Sequence, residues 1–166
     1  MATAADSVAT MVRGAFPALG SKVGIVENVI DIETVSAELV AQGDGALAAT
    51  DVIQCLSLPQ GTIVLSAGIE ITETVAGLTA LDIDMGITGV DVDIWIDGID
   101  IGSSTSYVAT DYVEGETATY PVIIGQGAAG ATSDTIDILC NTVTGTATAG
   151  KLRVWAIVAD VTDLSA

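Results

Sequence analysis

Apolar residues recur at every second position through most of the chain. From Ile63 to Ile71 the odd positions hold Ile63, Leu65, Ala67, Ile69 and Ile71, with Val64, Ser66, Gly68 and Glu70 between them. A period of two predicts a long strand with its odd face inward and a bulge or bend at Gly68. Pro59 and Gly61 mark a turn ahead of it, so Val52 to Leu58 forms the preceding strand. Leu81, Ile83 and Met85 alternate with Asp82 and Asp84, and Ile136, Ile138 and Cys140 with Asp137, Leu139 and Asn141. Leu152, Val154, Ala156 and Val158 alternate with Arg153, Trp155 and Ile157, so that strand is apolar on both faces and belongs at the centre of a sheet. Val29 to Ile32 adds a strand near the start. Only Glu33 to Gln42 (ETVSAELVAQ) spaces its apolar residues as a helix does, at Val35, Leu39 and Val40, and Gly43 follows as a stop.

Eight or so short strands separated by Gly, Asp and Thr turns predict an all-β fold, an antiparallel β-sandwich with jelly-roll-like connectivity and one short helix near residues 33–42. No repeat of 20–50 residues is present, which disfavours a propeller or a solenoid. Residues 23–166 form a single sandwich domain. Residues 1–22 differ from the rest, with Arg13, Phe16, Pro17 and Lys22 among alanines and a Gly-Ser pair. They are expected to be a flexible N-terminal arm, either frayed or ordering on a partner.

Composition agrees with the strand pattern. Val and Ile together number 37 and Leu only 11 among 166 residues, a mix that suits a pleated sheet better than a helix bundle. The charge adds something the pattern does not. Twenty-two acids face four Lys and Arg, for a net charge of −18. No cation lies between Val23 and Gly150. Phosphate binding needs clustered Lys and Arg, so nucleic acid is excluded as a partner. Salt bridges can hold little together in such a chain, and stability has to come from apolar burial and backbone hydrogen bonds. None of the uncharged stretches is a run of about 20 apolar residues, so no membrane span is expected. Met1 to Thr10 has neither the basic start nor the apolar segment of a signal peptide. Cys55 and Cys140 are expected as buried free thiols in a reducing compartment, with a disulfide as the alternative.

Candidate chemistry is sparse. The chain has no histidine, which removes Ser-His-Asp and Cys-His pairs, imidazole metal ligands and imidazole proton shuttles. Paired carboxylates could hydrolyse glycosides, but aromatic rings for a sugar to stack on are few. The segment Asp82–Asp100 (DIDMGITGVDVDIWIDGID) is the richest in acids. Calcium favours closely spaced Asp, and Asp91, Asp93 and Asp97 are the candidate ligands. The alternate acids, the Gly at six and the Glu at twelve of an EF-hand are missing, so these acids are primarily expected on solvent-facing strands. Gly125, Gly127 and Gly130 (GQGAAG) imitate a dinucleotide fingerprint without the helix that must follow it. The composition describes a protein that binds or builds, with no catalytic residues and no cofactor.

The order of segments carries a resemblance. An apolar strand (Val29–Ile32) is followed by an Ala-rich stretch (Ala37–Ala49), then DVIQCLSLPQGTIVLSAGIEIT (Asp51–Thr72). Next come an acidic Gly/Asp region with WIDGIDI (Asp82–Gly102), SDTIDIL (Ser133–Leu139) and AGKLRVWAIVADVT (Ala149–Thr162). From about residue 23 to 163 the chain resembles small structural proteins of tailed bacteriophages, especially those of marine and cyanobacterial hosts, of the capsid-decoration kind. Relatives tend to carry a Gly-Asp-Gly turn where this chain has Met85-Gly86-Ile87-Thr88-Gly89. The resemblance implies a non-enzymatic protein made in the host cytoplasm and placed on the capsid exterior, where it cements the head. Its implied partners are the major capsid protein and copies of itself in a homotrimer. Arg13, Phe16 and Lys22 are the expected capsid or subunit contacts. The alternatives are a tail or head-fibre component and a calcium-dependent extracellular binding module.

Overall fold

The computed structural model describes residues 3–4, 9–10, 23–102, 112–114, 122–124 and 133–160. In chain order these form β1 (Thr3–Ala4), β2 (Ala9–Thr10), β3 (Val23–Asp31), α1 (Ile32–Gln42), β4 (Val52–Pro59), β5 (Thr62–Ile87), β6 (Asp91–Asp100), β7 (Tyr112–Glu114), β8 (Val122–Ile123) and β9 (Ser133–Asp160).

Two strands organise everything else. β5 runs for 26 residues and β9 for 28, and they pair antiparallel from Thr62↔Asp160 to Gly86↔Asp137. On the far edge of β9, β4 pairs with its first part and β3 with its last. On the far edge of β5, β8 and β7 pair near its start and β6 near its end. The ribbon therefore carries two half-sheets, β3-β9-β5-β7/β8 and β4-β9-β5-β6, and β1 and β2 add short parallel pairings to the edge of β4. All other pairings are antiparallel.

A straight strand of 26 residues would span about 85 Å. A compact domain of this length has a radius of gyration of only about 15 Å. The ribbon has to bend, and the register shows where. Four shifts lie between Ile71 and Ala80. At the same place Gly77 and Gly145 adopt φ values of 82° and 104°, and a Cβ on either would come closer than 3.0 Å to backbone of the other strand. Glycine permits both the backbone angle and the approach. One continuous core then takes residues from both half-sheets and from α1, among them Ile30, Leu39, Leu56, Ile71, Ile83, Ile138 and Leu152. The Asn28 side chain donates to the Cys55 carbonyl at 3.2 Å, tying β3 to β4. The result is a β-sandwich in which the same two strands serve both halves.

The helix forms where its caps are. Asp31 accepts from the Thr34 N–H at 3.1 Å, and Gly43, at φ 92°, closes the last turn. Ile32, Val35 and Leu39 are buried, whereas Val40 faces out. Ile32, expected as the end of a strand, is the first residue of the helix, and the strand before it is longer than expected, reaching back to Val23.

In β5 the alternation changes phase. Val64 is buried and Leu65 exposed, the reverse of the expected odd inward face, while Ala67, Ile69 and Ile71 are inside as expected. The cause is a register shift between Val64 and Ser66, which inserts one residue opposite Ile157. Gly68, the expected bulge, pairs in regular register with Trp155. β9 is central, flanked by β3 and β4 on one edge and β5 on the other. Its separate expected strands, around Ile136–Cys140 and Leu152–Val158, are parts of one element, as are the two expected in β5.

Candidate functional site

The carboxylates of the Asp82–Asp100 segment divide by what they touch. Asp84 accepts from the Gly98 N–H at 2.8 Å, and Asp100 accepts from the N–H groups of Leu81 and Gly102 at 3.0 and 2.9 Å. These acids hold the β5–β6 hairpin together as backbone acceptors. Asp82 has its carboxyl raised above the usual range, first by burial and then by the charges of Asp84, Asp100 and Asp97. Asp91 and Asp93 lie two apart on β6, and a hydrogen bond shared with Asp91 raises the Asp93 carboxyl. Asp97 stands elsewhere, in the irregular stretch where Ile96 pairs with Met85 and Ile99 with Ile83. The three acids named for calcium are thus split between two places. Among the described residues no three Cys, Asp or Glu side chains gather into a group that could hold a metal ion.

A second set lies inside. Asp137 is buried, and its carboxylate accepts from the Thr88 N–H at 3.2 Å. Burial raises its carboxyl, while the Thr135 and Thr88 hydroxyls pull the other way. Cys55 and Cys140 are free and buried. Burial, followed by the charge of Asp51, pushes the Cys140 thiol up to about 12. Burial, followed by the Asp137 charge, also raises Cys55. Thiols held protonated in this way are neither nucleophiles nor ligands, so this set is structural.

A third set is on the surface, and the sequence reading missed it. Val23, Ile25, Glu27 and Val29 point outward from β3 while Val26 and Ile30 point into the core. Ile25 is 68% exposed, the most of any large apolar residue described. Register extends this face across the half-sheet. Val23 pairs with Ala159, Ala159 with Ile63, and Ile63 with Ile123. Ile25 pairs with Ile157, which lies opposite Ser66. Leu65, turned out by the bulge, is 43% exposed. Further along the same face the character changes. Arg153 pairs with Glu27 at 3.1 Å and with Glu70, and Lys151 with Glu73 at 2.6 Å and Asp31 at 3.7 Å. Half the protein's cations are therefore spent within this patch, each between two acids. A signal for the apolar part exists in VGIVENVI, which places apolar residues on both strand faces where one would suffice.

Arg13, Phe16 and Lys22, and the glycines Gly125, Gly127 and Gly130, lie outside the described residues. No helix described is long and apolar enough to cross a membrane.

No family model matches the chain, and no curated protein sequence matches it. Solved structures do. A chain in the capsid of Ralstonia phage GP4 superposes with a TM-score of 0.59 at 14% identity, over 96% of this chain and 98% of that one. A chain in the capsid asymmetric unit of cyanophage Pam1 gives 0.57 at 16% identity, over 90% of this chain and 94% of that one. The fold is one found in phage capsids. Nearly all of each chain takes part, so the likeness is between whole chains and not a shared hairpin.

Proposed function

We propose that the protein is a non-enzymatic capsid decoration protein. It binds the outer surface of a tailed-phage head through the major capsid protein, and it stabilises the shell as a homotrimer. The observation that carries this reading is the near-complete mutual coverage with chains found in two phage capsids. The charge supports the exterior. A net charge of −18 beside packaged DNA phosphates would be repelled, whereas on the outer surface it keeps particles apart. The buried thiols and the carboxylates used as backbone acceptors leave little for catalysis to use.

The test is reconstitution. Purified protein is added to heads that lack it, bound protein is measured by co-sedimentation, and DNA release is followed on heating. Saturable binding and release at a higher temperature are expected. Heads that bind none at any salt concentration, or protein that binds host cells instead, would refute the reading. Arg13, Phe16 and Lys22 are the proposed contacts in the first 22 residues. Their test is triple substitution to Ala and not deletion, because Thr3–Ala4 and Ala9–Thr10 pair with β4. Undiminished binding of the triple variant would remove them.

A further inference from the structure

We infer that the apolar outer face of the β3-β9-β5 half-sheet is where a second copy of this chain docks. The inference rests on the self-associating part of the reading above and names the surface it uses. Six side chains define the face: Val23, Ile25, Ile63, Leu65, Ile123 and Ile157. Val23, Ile25, Leu65 and Ile123 are 47%, 68%, 43% and 38% exposed.

Area is the first argument. Together the six present on the order of 400 Å² of apolar surface, the scale of a functional patch on a soluble protein. One side of a standard interface takes about 800 Å², of which somewhat over half is apolar. The face therefore supplies roughly the apolar share of one such side.

Charge decides the occupant. The two paired rows at this end of the sheet, Val23-Ala159-Ile63-Ile123 and Ile25-Ile157-Ser66, contain no charged residue. Elsewhere the described surface bears acids with no cation between Val23 and Gly150: Glu33 and Glu38 on α1, Asp44 after it, and Asp91, Asp93 and Asp97 on β6. Two copies of a chain this acidic would place acid against acid almost anywhere else. Here they meet without facing charges, and Arg153 and Lys151 neutralise part of the acidic border. Contact at this face is opposed only by the longer-range repulsion of the two bodies, which salt screens.

The test is light scattering coupled to size exclusion on the full chain, at low salt and at about 0.5 M NaCl. It compares the wild type with Ile25→Glu and with Val90→Glu. Ile25 is so exposed that its substitution leaves the core alone, and Val90, 54% exposed in the β5–β6 turn, is an apolar control away from the face. The expected result is a wild-type oligomer that tightens with salt, at least about tenfold weaker association for Ile25→Glu, and no change for Val90→Glu. A wild type that stays monomeric at both salt concentrations overturns the inference, as does an oligomer that Ile25→Glu leaves intact. If Ile25→Glu instead abolishes binding to heads while the oligomer persists, the face docks on the shell and the inference fails with the capsid reading intact. An oligomer broken by Ile25→Glu in a protein that never binds heads upholds this face and refutes the decoration reading.

Discussion

The bend of the β5–β9 ribbon depends on two glycines, and Gly77→Ala tests it directly. A methyl group at Gly77 meets two costs. The first is its φ of 82°, which costs a non-glycine residue about 1–2 kcal/mol, partly offset by about 0.4–1 kcal/mol from a less flexible unfolded chain. The second is steric. The new Cβ would come closer than 3.0 Å to the Thr146 carbonyl oxygen, which is backbone and cannot rotate away. Relieving that contact means parting the strands by about 1 Å, enough to lose two or three ladder hydrogen bonds at about 1 kcal/mol each. The sum is about 2–4.5 kcal/mol. Gly43→Ala is the matched control. Its φ is 92°, but a Cβ there meets nothing within 4 Å, so only the backbone cost applies, about 1 kcal/mol. In urea, with a slope of about 2 kcal/mol/M, Gly77→Ala should lower the unfolding midpoint by about 1–2.3 M and Gly43→Ala by about 0.5 M. Equal midpoints for the two variants would refute the close crossing at Gly77.

Three further outcomes are expected. Asp137, Asp82 and Asp93 have carboxyls raised in the fold, so the native state binds more protons than the unfolded chain above the ordinary carboxylate range. Their contribution is greatest at low pH and is lost as pH rises through the folded values; the melting temperature should therefore rise from pH 7 to about pH 5, and less steeply in Asp137→Asn. A melting temperature that falls over that range would contradict this. Cys55 and Cys140 should resist a thiol reagent at about pH 8 until the chain unfolds and then react together; fast labelling of the native protein would show that the burial is wrong. Added salt, up to about 0.5 M, should raise the melting temperature by screening self-repulsion, and an unchanged or lower value would count against a charge-limited fold.

What was legible in the sequence is what short-range chemistry encodes. The helix was found to within one residue because its first turn follows Asp31 and its stop is a glycine that tolerates a left-handed angle. The Pro59–Gly61 turn and the inward face of Leu81, Ile83 and Met85 were found for the same reason. What was hidden is what depends on a distant partner. The stretch TETVAGLTA, residues 72–80, lacks alternation because the register shifts there, so one strand reads as two. The bulge between Val64 and Ser66 reverses the face of Leu65 and leaves no mark in the residues themselves. The acids of β6 read as a possible ligand set because closely spaced acids suit a loop that folds back on itself, whereas on an extended strand the four residues from Asp93 to Asp97 span about 13 Å. VGIVENVI hints at an apolar outward face on β3, but its extension through Ile157, Ile63 and Ile123 emerges only from the register of β9, β5 and β8.

The place of β9 in the chain order governs when the protein can come into being. β3, β4 and β5 are all synthesised before it, yet β3 has its ladder partner in β9, with Val23 opposite Ala159, and β4 pairs there too. Such pairings span most of the chain, so contact order is high and folding is expected to be slow, on the millisecond-to-second scale of β folds. Until β9 leaves the ribosome, three apolar strands wait without their common neighbour, and no half-sheet can close early. Folding is then a single late event. The nascent chain presents no finished surface that could engage a partner before the whole domain exists.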